Sequence, residues 1–192
     1  MKEPLLYRIV RPIITFLFRL IYRPTYIGLE NIPKTGNYVL GGNHTNNFDC
    51  LLLISSTKRV IHFLAKDSLI KGPKKIIFTN MGIIPVNRNI HDKGALNNAI
   101  KYLKQNKVIG IFPEGTINRT SNTIMPFKIG CVKMAHDTKS PIVPFIITGR
   151  YRLFKKSITI EFLPAYIPQN DLNIENEKLM NIISTKLEEK RK

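Results

Sequence analysis

The sequence predicts an α/β fold, a mostly parallel central sheet flanked by helices. Three observations predict it. Short, almost wholly apolar segments recur along the chain, as expected of strands buried on both faces of a parallel sheet. Segments of helical apolar periodicity lie between them. The polar, chemistry-bearing clusters come just after the strand candidates, where the loops of such sheets collect ligands. At 192 residues the chain suits one domain with a substantial core.

The elements can be justified in order. Leu5 to Tyr22 reads LLYRIVRPIITFLFRLIY. At about 100° per residue, Arg8, Arg11, Thr15, Arg19 and Arg23 share one stripe, and Ile9, Ile13, Phe16, Leu17, Leu20 and Ile21 fill the other side. This pattern predicts an in-plane interfacial helix, with Arg8, Arg11 and Arg19 toward lipid phosphates and Phe16, Leu17 and Leu20 among acyl chains. The other reading is a helix packed on the protein's own core with a basic exposed face. Pro12 predicts a kink or a later start. Residues 1–24 are therefore set apart as an amphipathic segment, and 25–192 as the main domain. The strand candidates are Tyr38–Leu40, Val60–Ala65, Ile83–Val86, Val108–Phe112, Ile142–Thr148 and Ser157–Phe162. Helix signals are clearest over Gly94–Lys107, where Leu96, Ala99, Ile100 and Leu103 follow the i, i+3, i+4, i+7 rule. Leu179, Ile182, Ile183 and Leu187 repeat it near the end.

Charge bounds the partners. The chain carries 30 Lys+Arg against 13 Asp+Glu, a net charge of +17, and with 43% hydrophobic residues it is too apolar to be a disordered basic tail. Residues 1–160 hold 25 basic and 7 acidic residues, a balance of +18, whereas 161–192 hold 5 and 6, a balance of −1. The anionic partner is thus expected at the body of the chain, and the last 32 residues are expected to matter least for substrate. Nucleic acid, an anionic membrane surface and phosphorylated small molecules all satisfy the charge. No stacking-platform or zinc-finger motif accompanies it, so nucleic acid is not the expected partner. Cys50 and Cys131 sit in apolar surroundings without metal-ligand spacing, which predicts reduced thiols, a cytoplasmic-facing protein and no metal. No apolar run reaches the roughly 18 residues needed to cross a bilayer.

The chemistry-bearing residues follow the strands. His44 and Asp49 are separated by four residues, with Asp49 at the start of a helix. A carboxylate that fixes the tautomer of a His makes it a general base. On spacing alone, a loop His followed by a helix-capping Asp is the better reading. Cys50 precedes a Leu-rich run and reads as a buried thiol rather than a nucleophile. Arg88 and Lys66 end strand candidates as anion ligands or as solvated cations.

Taken together, the motifs resemble the glycerolipid acyltransferases, specifically the 1-acyl-sn-glycerol-3-phosphate (lysophosphatidate) acyltransferases of the PlsC type. His-x4-Asp is matched by His44–Asp49, and Gly-x-Ile-x-Val-x-Arg by Gly82, Ile84, Val86 and Arg88. Phe-Pro-Glu-Gly-Thr is present as Phe112–Thr116, and a Pro-rich apolar strand as Pro141–Phe145. Ala65-Lys66-x-Ser68-Leu69 and Phe127-Lys128-x-Gly130, leading into Ala135, also agree. The third block often continues Thr-Arg-Ser, whereas here Thr116 is followed by Ile117, Asn118 and Arg119, which places the cation two residues later.

The resemblance implies the glycerolipid acyltransferase fold and an O-acyltransferase of phospholipid biosynthesis that converts lysophosphatidate to phosphatidate. His44 would be the general base, oriented by Asp49, with no acyl-enzyme. Lys66, Gly82, Arg88, Glu114, Gly115, Thr116 and Arg119 would belong to the acceptor pocket, Glu114 ordering the cations or accepting from a glycerol hydroxyl. No cofactor is implied beyond acyl-CoA or acyl carrier protein as co-substrate. Anionic membrane lipids would be the further partner, at the cytoplasmic face of the cell membrane in a monotopic or peripheral mode. The apolar stretch Leu69–Met81, with Lys71, Lys74 and Lys75, would extend membrane contact or line an acyl groove. The segment Arg150–Lys156 reads as a strand-connecting loop or as a basic, aromatic docking patch. Acylation of another lysolipid or hydroxylated lipid is the alternative within the class. A basic nucleic-acid-binding module is the alternative outside it.

Overall fold

The computed structural model describes residues 5–67, 80–87 and 92–191. Seven strands form one sheet in the order β1-β7-β6-β2-β5-β3-β4. They are β1 (Thr25–Ile27), β2 (Tyr38–Gly42), β3 (Ile61–Lys66), β4 (Ile84–Val86), β5 (Val108–Ile111), β6 (Ile142–Gly149) and β7 (Ile158–Phe162). Strands β6, β2, β5, β3 and β4 run parallel, and β7 turns back antiparallel to β6, with β1 parallel to β7 at the edge. The expected mostly parallel sheet is therefore present, with a hairpin at one side. β1 was not anticipated: its three residues alternate exposed and half-buried at a sheet edge and carry no apolar run.

The helices are α1 (Leu5–Tyr22), α2 (Asp49–Ser56), α3 (Lys93–Lys104), α4 (Gly130–Thr138) and α5 (Leu172–Glu189). The two faces of the sheet build two cores. Alternation along β2 sends Tyr38 and Leu40 to one face, with Phe18 of α1 and Leu52 and Leu53 of α2. It sends Val39 to the other, with Leu103 of α3, Met134 of α4 and Leu179 and Ile183 of α5. The helix expected over Gly94–Lys107 ends three residues early, because Asn106 adopts a left-handed backbone (φ 58°) that turns the chain into β5.

α1 is continuous through Pro12, which lies on the exposed side where the carbonyl it leaves unpaired can meet water. Its orientation leaves the apolar side uncovered. Tyr7 and Phe18 are buried in the core, while Ile9, Ile13, Phe16, Leu17 and Leu20 are exposed, Phe16 by 67%. Two of the arginines read as lipid-headgroup ligands turn inward along the rim. Arg11 Nε donates to the Thr57 carbonyl (2.9 Å) and an Arg19 guanidinium nitrogen to that of Ser55 (2.6 Å), at the C-terminal end of α2. Those carbonyls lack intrahelical partners and sit at the negative end of the helix dipole, so the cations satisfy both needs. Arg8 remains exposed.

Candidate active site

Because β2, β3, β4, β5 and β6 are parallel, their carboxyl ends share one edge of the sheet, and the motif loops meet there. β2 ends in Gly41-Gly42, and a Cβ on Gly42 would overlap the carbonyl oxygen and ring of Phe145 on β6. Only glycine lets the two strands close at that point. Asn43 then clips the loop to β6, its side chain donating to the Ile147 carbonyl (2.9 Å) and accepting from the Ile147 N–H (2.7 Å). The next residue is His44.

His44 Nδ1 lies 2.9 Å from Asp49 Oδ2, and the His ring stacks on Phe112 at 3.9 Å between centroids, 12° from parallel. Asp49 is fully buried, and the His44 side chain is 13% exposed. Oδ2 also accepts the backbone N–H groups of Thr45 (2.6 Å) and Asn46 (2.8 Å), while Oδ1 accepts from the Thr45 hydroxyl (3.1 Å) and the Tyr151 hydroxyl (2.6 Å). A peptide N–H can only donate, so Oδ2 is an acceptor, and the bond to His44 requires the proton on Nδ1. In the neutral ring Nε2 then holds the free lone pair. That is the state a general base needs. The Asp therefore serves the His rather than simply capping α2.

Glu114 is buried and tied to backbone: Oε1 accepts the His44 N–H (2.8 Å) and Oε2 the Met125 N–H (2.9 Å). Burial pushes its carboxyl above the ordinary value, and the two N–H groups oppose that shift. Glu114 thus anchors the His44 loop to the segment after β5. Gly115 takes a left-handed φ of 75°, and a Cβ there would sit 2.9 Å from the Lys128 side chain. Cys50 is held as a thiol, pushed up to about 12 by burial and then by the charge of Asp49, which fits no nucleophilic role.

The family model for Acyltransferase matches residues 23–148. The chain belongs to the acyltransferase family. It is 37% identical over 174 residues to the 1-acyl-sn-glycerol-3-phosphate acyltransferase of Borreliella burgdorferi, covering 85% of this chain and 69% of that one. It is 33% identical over 132 residues to the enzyme of the same name from Bacillus subtilis, covering 66% and 65%. The chain thus spans about two thirds of the length of these two curated relatives. The crystal structure of the 1-acyl-sn-glycerophosphate acyltransferase PlsC from Thermotoga maritima superposes with a TM-score of 0.75 over 97% of this chain and 78% of that one. At 22% identity that likeness is one of fold.

Lys66 ends β3 at the same edge of the sheet, exposed, in register with Val86 on β4. Gly82, expected in the acceptor pocket, instead precedes β4 at the amino end of the strand, away from the edge that holds His44. It is buried with a left-handed φ of 73°, and its carbonyl lies 2.8 Å from His62 Nδ1, so it turns the chain into β4. Arg88, Ser68 and Leu69, and Lys71, Lys74 and Lys75 lie outside the described residues. Thr116 and Arg119 are exposed beside the site, where the Asn118 N–H donates to the His44 carbonyl (2.9 Å).

A cavity of about 310 Å³ adjoins the pair, lined by Asn43, His44, Thr45 and Glu114 on one side and by Lys190 and Arg191 on the other. The end of α5, in the segment expected to matter least for substrate, therefore adjoins the cavity. Its overall charge hid two cations at one end. Two neighbours of the pair carry no signal in the sequence: Tyr151, within the segment that reads as a strand-connecting loop or a docking patch, and Phe112 as the ring beneath His44.

Proposed function

We propose that the protein transfers a fatty acyl group from an acyl thioester, carried on coenzyme A or acyl carrier protein, to the free hydroxyl of lysophosphatidate, giving phosphatidate. The observation that carries the reading is Asp49, buried and saturated with donors, which fixes the proton of His44 on Nδ1 and frees Nε2. The acceptor O–H bond breaks as its proton moves to Nε2, and the oxygen adds to the thioester carbonyl carbon. The charge developing on the imidazolium faces the Asp49 carboxylate. Collapse of the tetrahedral intermediate breaks the C–S bond, and the leaving sulfur takes the proton back from Nε2.

The substrate assignment rests on the names of the two curated relatives and on the cations at the strand ends. The reaction takes place at a membrane surface, where the exposed apolar face of α1 lies among acyl chains. Among the described residues, no helix is long and apolar enough to cross a membrane. The test is acyl transfer measured with acyl-CoA and with acyl carrier protein thioesters against acceptors with and without a phosphate. Lysophosphatidate is expected to be the preferred acceptor, and Lys66→Ala and Arg88→Ala are expected to raise its KM and leave that of the donor unchanged. Transfer to a phosphate-free lysolipid at equal efficiency would overturn the acceptor assignment. Absence of transfer to every acceptor would overturn the activity.

A further inference from the structure

Among the described residues, the Asp49 carboxylate takes all but one of its hydrogen bonds from His44, Thr45 and Asn46, within its own loop. The exception comes from Tyr151, 102 positions away in the loop after β6, whose hydroxyl reaches Oδ1 at 2.6 Å. We infer that Tyr151 is a positioning residue for the catalytic pair: its hydroxyl holds the Asp49 carboxylate in the orientation that aligns His44, and tempers the negative charge that the His ring feels. The inference rests on the acyl-transfer reading only for its kinetic consequences.

The surroundings of Tyr151 separate the work of the ring from that of the hydroxyl. The ring meets Tyr22 edge-on at 5.6 Å, Phe48 at 5.7 Å and Phe18 at 6.2 Å, so α1 and the loop before α2 fix its position. The loop that carries it is clamped at both ends, the Arg150 N–H donating to the Ser157 carbonyl (2.7 Å) and the Phe154 N–H to the Ile21 carbonyl at the end of α1. Burial and the adjacent Asp49 carboxylate push the phenol well above its ordinary value, so it stays protonated and donates. Phenylalanine would fill the same space and lose only the donor. Oδ1 would keep the longer bond from the Thr45 hydroxyl, leaving the carboxylate freer to rotate away from His44.

A hydroxyl donating to a carboxylate draws negative charge toward itself and away from the carboxylate's other partners. The other titratable groups around the pair are Glu114 after β5, Cys50 on α2, Tyr22 on α1, and Tyr26 on β1 with Arg19 over its ring at 5.0 Å. Lys190 and Arg191 stand across the cavity. Tyr151→Phe leaves all of these in place.

The test is Tyr151→Phe in the full chain. Its kcat is expected to fall about tenfold with both KM values unchanged. In an Asp49→Asn background the same substitution is expected to cost nothing further, since it acts through Asp49. Two-dimensional NMR of the His44 ring supplies a reading independent of acyl transfer, and its Nδ1–H resonance is expected to move in Tyr151→Phe. An unmoved resonance together with an unchanged kcat would overturn the inference, as would equal losses of kcat in both backgrounds. A moved resonance in a chain that transfers no acyl group would uphold the positioning role and overturn the acyl-transfer reading alone.

Discussion

α1 and α5 are each 18 residues long and lie on opposite faces of the same sheet, yet their outer surfaces are opposites. α5 buries Leu179, Ile183 and Leu187 and presents mostly Asn, Glu and Lys to solvent; Lys186 and Lys190 pair with Glu161 of β7 at 3.5 and 2.9 Å. α1 also buries large residues, Tyr7 and Phe18, but its outer surface is Ile9, Ile13, Phe16, Leu17 and Leu20. An ordinary surface helix has one apolar face and needs one apolar neighbour. α1 has two such faces, and the sheet covers only one. The second face is what an acyl-chain environment would cover, and it lies on the helix whose inner aromatic residues touch Tyr151 beside His44 and Asp49.

The largest effects should come from the inner faces, where the two helices are alike. Phe18→Ala is expected to cost about 3–5 kcal/mol and Leu179→Ala about 2–5 kcal/mol in denaturant titrations, since both are buried large-to-small changes. The outer faces should differ. Phe16→Asp with Leu20→Asp is expected to weaken binding to anionic phospholipid vesicles about 100-fold, each lost apolar contact being worth up to about 1.5–3 kcal/mol, with little change in Tm. The matched change on α5, Ile174→Asp at 59% exposure, should leave vesicle binding unaltered in a flotation assay. Equal losses from both helices would erase the distinction.

Smaller effects sharpen it. Because Arg11 and Arg19 donate to carbonyls at the end of α2, Arg11→Ala and Arg19→Ala should each lower stability by about 1 kcal/mol in thermal melts. Arg8→Ala, lacking that role, should lower only the salt-sensitive part of vesicle binding. On the α3–α5 side, helix starts are capped by acids, Asp92 accepting from Ala95 N–H and Asp171 from Asn173 N–H. The backbone N–H of Asn87, then that of Ala95, holds the Asp92 carboxyl below its ordinary 3.8. A carboxyl depressed in the folded state contributes stability above its unfolded value, and that stability is lost as pH falls through the folded value. The Tm gap between wild type and Asp92→Ala, worth about 1 kcal/mol at pH 7, should therefore close below about pH 3.8.

Apolar runs and period made most of the sheet legible, because strands buried on both faces leave no room for polar residues. β1 was illegible for the converse reason: three edge residues, partly exposed, show no apolar run. The spacing of His44 and Asp49 was visible in the sequence, but what separates a paired His and Asp from a capped helix is which atoms donate to Asp49. Those donors include Tyr151, which no local pattern ties to Asp49. Glu114 reads in the sequence as ordering the cations or accepting from a glycerol hydroxyl; that its oxygens also accept the backbone N–H groups of His44 and Met125 is visible only in the structure, because a motif marks a residue without saying what its side chain holds. For α1 the helical projection separated the basic stripe from the apolar side correctly, yet it could not tell which of them the domain would cover.

The most direct measurement is the rate of acyl transfer to lysophosphatidate by His44→Ala on anionic vesicles, with folding verified by an unchanged melting transition. A general base at this position predicts a fall in kcat of about 10²–10⁴-fold with vesicle binding intact. A His44→Ala enzyme that turns over at the wild-type rate would contradict the assignment of His44 Nε2 as the base.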